Sequence, residues 1–519
     1  MSGATIPVRA AAGKNINDAA AVNRSGVKDT RKMKRRDPSL LISLLVCIAA
    51  GAAGGVSFYP AGCVLLAWVC VVPLFWVLRT KRPGARFWYG FLFGCGYYLT
   101  AIYWIGKVSA LGAGILCLYL ALYPAVFALC ARRWEARTRG VVLLPALWVL
   151  LEFVKAHLWS GFAWADLGHS QFRNTFLIQP VSIFGAPFLS FLVMMGNVCL
   201  SSLVTGKRFW KLQGTCFLCV CALSAAFSFG ALTRERAHRL LPLAVVQPNV
   251  AQERKWDPAA RPVIRRELFR LGQSVRSPLI VYPEAAWPYI VGPDAMKGMK
   301  EFVSRLGSAV LMGAVSEDAG KFYNTAFYFS GEGELKGKYR KMRLVPFGEY
   351  IPFRKYLGFI DVVNEIGDIS PGEEPKRFGY GESDFSVLIC FEDIFPGFVA
   401  DAARGNDFLV NITNDAWFGG EPEASQHLSI MVMRAVENGI PIVRCANSGI
   451  SGWVSDTGKI TLFEKDGRRV NVDGVQEFLV QGRRKRTLFS QLRGFFVWCC
   501  AFACAAYAAA EWKARRKQR

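Results

Sequence analysis

Repeated apolar stretches constrain this chain more than any other feature of its sequence. A helix needs about 20 mostly apolar residues to cross the hydrocarbon core of a bilayer, and stretches near that length recur along the first half. We predict membrane spans at 39–58, 61–78, 87–106, 109–130, 141–158, 178–204, 211–231 and 489–510. The pattern therefore predicts a polytopic α-helical membrane domain with eight spans.

The links between these stretches alternate in charge. Basic links are RTKRPGAR (79–86), RRWEARTR (132–139) and GKRFWK (206–211), and the N-terminal arm and the tail KARRKQR (513–519) are also basic. The opposite links hold only Lys107 and Arg173 as clear positive charges. Because Lys and Arg collect on the cytoplasmic side, both termini are expected in the cytoplasm.

This orientation divides the chain into five parts. They are a basic cytoplasmic arm (1–38), seven transmembrane helices (39–231), an extracytoplasmic catalytic domain (232–488), an eighth transmembrane helix (489–510) and a basic cytoplasmic tail (511–519). The small residues from Ala49 to Gly55 also allow a cleaved signal sequence. We favour an uncleaved anchor because a long basic lead precedes the first span and further spans follow it.

Composition agrees with a membrane protein. Hydrophobic residues make up 52% of the chain, its mean hydropathy is +0.24, and its formal net charge is +24. A nucleic-acid-binding protein concentrates its cations on one soluble face, whereas here they lie mainly at the ends of apolar stretches. Lipid headgroups are the expected partner of the basic arm, and no nucleic-acid partner is expected.

One segment of the membrane half, LEFVKAHLWSGFAWADLGHSQF (151–172), is unusually polar. Charged groups at membrane depth are costly and are often functional, which draws attention to Glu152, Lys155 and Asp166. Alternatively, the segment is an extracytoplasmic loop that shapes the entrance to the soluble domain. The sequence leaves both readings open.

From about residue 240 the pattern changes to short β-type runs with helical segments between them. Predicted strands are 241–247, 277–284, 309–315, 322–330, 385–390, 407–412 and 440–446, and predicted helices include 258–275 and 424–439. Such alternation favours an α/β domain whose sheet faces are covered. About 250 residues are enough to bury a core of their own.

Three polar residues follow strands in this domain: Glu284, Lys341 and Cys390. Side chains at strand ends leave the sheet and converge. A thiol attacks a carbonyl best as thiolate, so Glu284 is expected to take its proton while Lys341 stabilises the thiolate and the oxyanion. Of the 15 cysteines, 13 lie in apolar stretches, and only Cys390 and Cys445 belong to the polar half. No histidine follows a strand near the thiol.

The surrounding motifs resemble the carbon–nitrogen hydrolase (nitrilase) superfamily. The matching segments are QPNVAQERKWDP (247–258), VYPEAAWP (281–288), KMRLVPFGEYIP (341–352), ICFEDIFP (389–396), NDAWFG (414–419) and QHLSIMVMRAVENGIPIVRCANSGIS (426–451). Together with eight spans, they resemble the apolipoprotein N-acyltransferase family. This resemblance implies a nitrilase-like α-β-β-α sandwich and catalytic roles for Glu284, Lys341 and Cys390.

The resemblance also implies supporting residues. They are Glu349 as a second glutamate, Trp256 in the first-strand motif, and Glu392 and Phe391 beside the nucleophile. Phe391 departs from the family, which usually has tyrosine there, so a hydroxyl is lost. GFAW (161–164) stands where GFPW is common. For Glu349 and Glu392, a structural salt-bridge role is the alternative to orienting Lys341.

Aromatic residues are candidates for the entrance of an acyl chain. They are Trp287, Trp417, Phe418 and Phe359, and for each of them ordinary core packing is the competing interpretation.

The implied reaction has two steps and needs no cofactor or metal. Cys390 takes an acyl chain from a phospholipid as a thioester, and the α-amine of diacylglyceryl-cysteine in an apolipoprotein then receives it. The implied location is the bacterial inner membrane with the catalytic domain on the periplasmic side, and a monomer is expected. A membrane-tethered amidase with the same triad, and a polytopic transporter or receptor with an α/β sensing domain, are the alternatives.

Overall fold

The computed structural model describes residues 1–3, 39–59, 63–135, 138–234, 238–255, 257–351, 354, 369–484 and 486–517. Predictions for the basic arm, for Trp256 and for Phe359 lie outside these residues.

Apolar helices form where the sequence predicts spans. The helices of the first half are α1 Leu40–Val56, α2 Val71–Leu78, α3 Pro83–Ala101, α4 Ala110–Glu135, α5 Gly140–His157, α6 Val181–Phe184, α7 Pro187–Val204 and α8 Trp210–Thr233. By length and composition, five helical stretches in the described residues are able to cross a membrane: Ala110–Ala131, Gly140–His157, Pro187–Val204, Trp210–Thr233 and Phe495–Arg516. The transmembrane character is thereby supported, and the number of eight spans stays a prediction.

Several predicted spans differ from the observed helices. The stretch 489–510 is divided between the helices Leu488–Gln491 and Phe495–Arg516, and the stretch 87–106 extends beyond α3 into a 3-10 helix, Tyr103–Lys107. The stretch 178–204 is divided into α6 and α7 at Gly185, whose φ of +79° interrupts the helix before Pro187 begins the next one. The stretch 61–78 starts as a 3-10 helix, Cys63–Trp68, before α2.

Helices α1, α3 and α4 pack closely through glycine. A Cβ on Gly51 of α1 would lie 2.0 Å from the carbonyl oxygen of Phe93 in α3, and one on Gly94 would lie 2.7 Å from Cα of Ala121 in α4. Such backbone contact is typical of membrane helices, where packing and not water exclusion drives association.

The domain that follows α8 contains two six-stranded sheets. Its strands are β1 Arg239–Gln247, β2 Leu279–Val281, β3 Ala309–Asp318, β4 Lys321–Phe329, β5 Leu335–Arg340, β6 Arg377–Tyr380, β7 Ser383–Ile389, β8 Phe408–Thr413, β9 Ile442–Ala446, β10 Gly452–Val454, β11 Ile460–Leu462 and β12 Gly474–Gly482. The first sheet has the order β12-β1-β2-β3-β4-β5, and the second has the order β11-β10-β9-β8-β7-β6. In both sheets the three central strands are parallel and the outer ones are antiparallel.

The remaining helices are α9 Gln252–Lys255, α10 Arg261–Gln273, α11 Pro293–Leu306, α12 Pro396–Ala402, α13 Glu421–Asn438, α14 Leu488–Gln491 and α15 Phe495–Arg516. Apolar side chains of both sheets, such as Val281 and Ile412, pack face to face. Leu268 of α10 and Phe302 of α11 cover the outer face of the first sheet, while α12 and α13 cover the second. The predicted α-β-β-α sandwich is confirmed.

Helix α13 lies between the second sheet and the membrane half. Its side chains Leu428 and Val432 share a core with Leu189 and Leu192 of α7 and with Leu409 of β8. Nearly every residue of α13 is buried, which is unusual for the outer layer of a soluble sandwich. The sandwich and the membrane helices therefore share one continuous core.

Candidate active site

The three residues predicted from the sequence come from strand ends of both sheets. Lys341 directly follows β5, Cys390 directly follows β7, and Glu284 lies three residues beyond β2. The Lys341 Nζ lies 3.3 Å from Glu284 Oε1, and the charges of both residues act on the Cys390 thiol. The structure thus brings the predicted triad together.

Lys341 is a buried ammonium held by two glutamates. Its Nζ donates to Glu349 Oε1 at 2.9 Å in addition to Glu284. Burial by itself lowers the pKa of a lysine, but here the charges of Glu284 and Glu349 outweigh it and raise the pKa of Lys341. Lys341 therefore remains cationic, as a group that stabilises an oxyanion must.

Asn324 on β4 bridges the two glutamates. Its Nδ2 donates to Glu284 Oε1 at 2.6 Å and to Glu349 Oε1 at 3.0 Å. Its backbone carbonyl accepts a bond from the Lys341 backbone N–H at 2.8 Å. Sequence analysis missed this residue because it lies within a strand and belongs to none of the quoted motifs. It fixes both carboxylates in relation to the ammonium.

Cys390 begins a tight turn at the end of β7. Its φ is +54°, a left-handed conformation that costs energy in a residue with a Cβ and that is often found at active sites. The Asn411 side chain donates to its carbonyl oxygen at 3.0 Å. The Thr413 side chain, at the end of the neighbouring strand β8, also acts on the thiol.

The pKa of the Cys390 thiol is raised well above its ordinary value. Burial is the largest cause and the negative charge of Glu284 adds to it, whereas Lys341 acts in the opposite direction. The resting group is therefore a thiol, and its proton must leave when the sulfur attacks. A nearby carboxylate is a suitable acceptor for that proton.

Glu392 ties the lysine strand to the cysteine strand. Its carboxylate accepts bonds from the backbone N–H of Ile389 at 2.8 Å and of Met342 at 2.7 Å, and from the Tyr339 hydroxyl at 2.8 Å. Burial raises the pKa of Glu392 to about 7. It contacts the backbone beside Lys341, and so its support of that residue is indirect.

The predicted aromatic residues occupy different surroundings. Trp417 is 53% exposed, while Phe418 packs edge-on against Trp104 at a centroid distance of 4.7 Å. Trp287 is 4% exposed and packs against Phe302. Core packing, the competing interpretation, therefore describes Trp287 better than an entrance does, because the outer helices enclose it.

Phe391 faces the membrane half. Its ring packs edge-on against Phe395 at 5.3 Å, and both rings contact the apolar core of the membrane helices. Phe391 carries no hydroxyl, and Tyr339 supplies one to the neighbouring Glu392 from another strand.

A polar junction joins the catalytic domain to the membrane helices. Gln426 Oε1 accepts bonds from the indole N–H groups of Trp164 at 2.7 Å and Trp104 at 3.2 Å, and its Nε2 donates to the Ala101 carbonyl at 2.8 Å. Lys155 supports this junction by donating to the Trp164 carbonyl at 2.6 Å and pairing with Asp166 at 2.8 Å. The polar segment 151–172 thus connects the sandwich to the membrane helices.

The next residue of α13, His427, lies beside the turn that begins at Cys390. His427 Nε2 contacts Asp393 Oδ1 at 2.8 Å, and Asp393 lies three residues after Cys390. Arg444 donates to Asp415 at 2.8 Å on the other side of the histidine. Sequence reasoning set His427 aside as a base, and in this position it orients the turn that carries the thiol.

Asp415, Glu423 and His427 have ligand atoms within 4.8 Å of one another. Arg444 already lies among them and contacts both Asp415 and His427, at 2.8 and 2.9 Å. Because a buried guanidinium neutralises these carboxylates, a metal ion would have to displace it. The arrangement is that of an ion-pair cluster.

Comparison with known proteins gives two family matches. The apolipoprotein N-acyltransferase N-terminal domain matches residues 50–199, and the carbon-nitrogen hydrolase domain matches residues 243–475. The apolipoprotein N-acyltransferase of Geobacter metallireducens is 34% identical over 90% of this chain and 94% of its own length. That of Brucella suis is 33% identical over 74% of this chain and 78% of its own. Among solved structures, an amidase from Nesterenkonia sp. is 19% identical, with 49% of this chain and 94% of the amidase covered and a TM-score of 0.37.

Proposed function

We propose that this chain, which belongs to the apolipoprotein N-acyltransferase family, moves an acyl chain from a phospholipid to the N-terminal α-amine of diacylglyceryl-cysteine in apolipoproteins, with Cys390 as carrier. The observation that supports it best is that the buried Glu284 and Lys341, with the partly buried Glu349, lie around a protonated thiol. Such a group suits covalent acyl transfer, because it supplies a base, a cation and a nucleophile together.

In the first step the Cys390 sulfur attacks the ester carbonyl of the phospholipid. Glu284 takes the thiol proton as the C–S bond forms, and Lys341 stabilises the oxyanion. The carbon–oxygen bond to glycerol then breaks, and Glu284 returns the proton to the leaving oxygen. The products of this step are a thioester and a lysophospholipid.

In the second step the free α-amine of the lipoprotein attacks the thioester carbonyl. Glu284 takes a proton from the nitrogen, the C–S bond breaks, and the sulfur receives that proton. An amide and the resting thiol result. A thioester is reactive enough for this step. Because the free enzyme reacts with the phospholipid and the acyl-enzyme reacts with the amine, the proposed mechanism implies ping-pong kinetics.

Both substrates are lipids, which accounts for a catalytic domain that shares a core with membrane helices. The proposed location is the bacterial inner membrane with eight spans and the catalytic domain on the periplasmic side, as the distribution of basic links favours. The protein is proposed to act as a monomer without a nucleic-acid partner. Trp417, exposed beside Phe418, is the proposed contact for an entering acyl chain.

Trapping the intermediate tests the proposal. The purified full chain in detergent micelles is mixed with phosphatidylethanolamine without acceptor and examined by intact mass and peptide mapping. An acyl group on Cys390 that is released by a diacylglyceryl-cysteine peptide supports the proposal. Cys390→Ala is expected to abolish this acylation and Cys390→Ser to reduce it severely. Cys445→Ala is expected to leave the acylation unchanged.

Three results would contradict the proposal. Acylation of Cys445 would overturn the assignment of the nucleophile. Release of the acyl chain to water alone, with no amide formed, would favour the membrane-tethered hydrolase. Full biological activity of Cys390→Ala would favour a non-enzymatic transporter or receptor.

A further inference from the structure

Lys255 is a buried lysine that the proposed mechanism does not use. It is 4% exposed and ends the short helix α9. Its Nζ donates to the backbone carbonyl of Glu284 at 3.0 Å. Lysine is almost never fully buried unless its charge has a partner, and this one contacts the residue assigned as the general base.

The surroundings of Lys255 single out Glu284 as its partner. An ammonium has three N–H donors, and within the part of the chain that the structure describes, the Glu284 carbonyl is the acceptor it contacts. Burial lowers the pKa of Lys255 to about 8, and the charge of Glu284 counteracts this effect. Lys255 is therefore largely cationic at neutral pH.

The segment that carries Lys255 is anchored to the opposite sheet. Gln252 accepts a bond from Asn414 at 2.9 Å, Asn414 accepts one from Asn447 at 2.9 Å, and Asn447 accepts one from the Val250 N–H at 3.0 Å. Asn414 and Asn447 directly follow β8 and β9. These bonds give Lys255 a fixed position from which to reach Glu284.

The backbone that Lys255 contacts is strained. Ala285, the residue after Glu284, has a φ of +46°, and a conformation of this kind persists only where surrounding contacts enforce it. Gly313 of β3 lies directly beneath, since a Cβ there would be 2.7 Å from Cα of Glu284. The lysine and the glycine together define where the base is placed.

We propose that Lys255 is a positioning residue for Glu284, which clamps the backbone carbonyl of the base and adds a second positive charge, besides Lys341, to its surroundings. The inference rests on the proposed function. The clamp holds the Glu284 backbone, and with it the carboxylate, where that group can exchange a proton with the thiol or the amine. Both chemical steps depend on it, whereas lipid binding does not.

The test compares Lys255→Met, Lys255→Gln and Lys255→Arg in the full chain. Single-turnover formation of the Cys390 thioester is measured over a range of phosphatidylethanolamine concentrations. We expect Lys255→Met to slow the maximal rate at least tenfold with an unchanged half-saturating lipid concentration. Lys255→Arg, which keeps the charge, is expected to recover part of the loss, and Lys255→Gln, which keeps N–H donors without the charge, is expected to recover less.

Lys336→Met is the matched control, because that exposed lysine of β5 pairs only with Glu334 among the described residues. Thermal unfolding of each variant shows whether the fold persists. A maximal rate within twofold of the unaltered enzyme in Lys255→Met, or equal rates in Lys255→Arg and Lys255→Met, would overturn the inference. A higher half-saturating lipid concentration with an unchanged maximal rate would also overturn it. If the unaltered chain forms no thioester, the proposed function fails instead.

Discussion

The side chain of Gln426 accepts the indole N–H of Trp164 at 2.7 Å, across the boundary between the sandwich and the membrane helices. The same oxygen accepts a hydrogen bond from the indole N–H of Trp104, and the amide nitrogen donates one to the backbone carbonyl of Ala101. The three hydrogen bonds that this buried amide makes among the described residues thus go to the membrane half. It joins the two halves by polar contacts as well as by apolar packing.

Replacing Gln426 with leucine is expected to destabilise this junction. Two indole donors and one carbonyl would lose their partner in a buried setting, and each such group costs about 1–3 kcal/mol. We predict a loss of at least about 2 kcal/mol in unfolding free energy, measured by denaturation in detergent. Gln273→Leu, on the exposed face of α10, is the control, and equal stability of the two variants would contradict the assigned role.

Glu349→Gln is expected to lower turnover about 10–100-fold, since Lys341 would lose one of its two anionic partners while the shape of the site is kept. The measurement is kcat for acyl transfer to a diacylglyceryl-cysteine peptide. Glu334→Gln removes an exposed partner of Lys336 in the same domain and is expected to leave kcat unchanged. A similar effect of both substitutions would show that the charge of Glu349 has no special role.

Alkylation of Cys390 by iodoacetamide is expected to be slow at pH 7.5 and to rise as the pH is increased. The thiolate is the reactive form, and the pKa of this thiol is raised by burial and by Glu284. Lys341→Met should slow labelling further, because Lys341 acts to lower that pKa. Peptide mass spectrometry distinguishes Cys390 from the other cysteines. Faster labelling in Lys341→Met would contradict the electrostatic account.

Gly313→Ala is expected to displace the turn that carries Glu284. The new Cβ would lie 2.5 Å from the Pro283 carbonyl oxygen and 2.7 Å from the Ala285 nitrogen, which are backbone atoms that cannot rotate away. Overpacking of this kind costs about 1–3 kcal/mol of unfolding free energy. The rate of thioester formation should fall by more than this loss of stability alone would cause. Gly379→Ala, where a Cβ meets nothing within 4 Å, provides the control. Unchanged acylation by Gly313→Ala would refute the positional argument.

The sequence alone determined the type of each half and the identity of the proposed catalytic residues. Apolar length predicts helices because the bilayer core has a fixed thickness. Short β-type runs predicted seven of the strands, and motifs around Glu284, Lys341 and Cys390 identified the side chains that the structure brings together. Each of these features is local, so a short stretch of chain is sufficient to reveal it.

Tertiary structure alone decided what holds those residues in place. Strand β12 pairs with β1, Asn324 bridges two glutamates from other segments, and Gln426 meets Trp104 at a separation of 322 residues. Neither periodicity nor composition encodes such pairings, because each depends on how the whole chain packs. The contact of Lys255 with the Glu284 carbonyl has the same origin: the lysine is visible in the sequence, but its partner is a backbone atom that folding alone brings within reach.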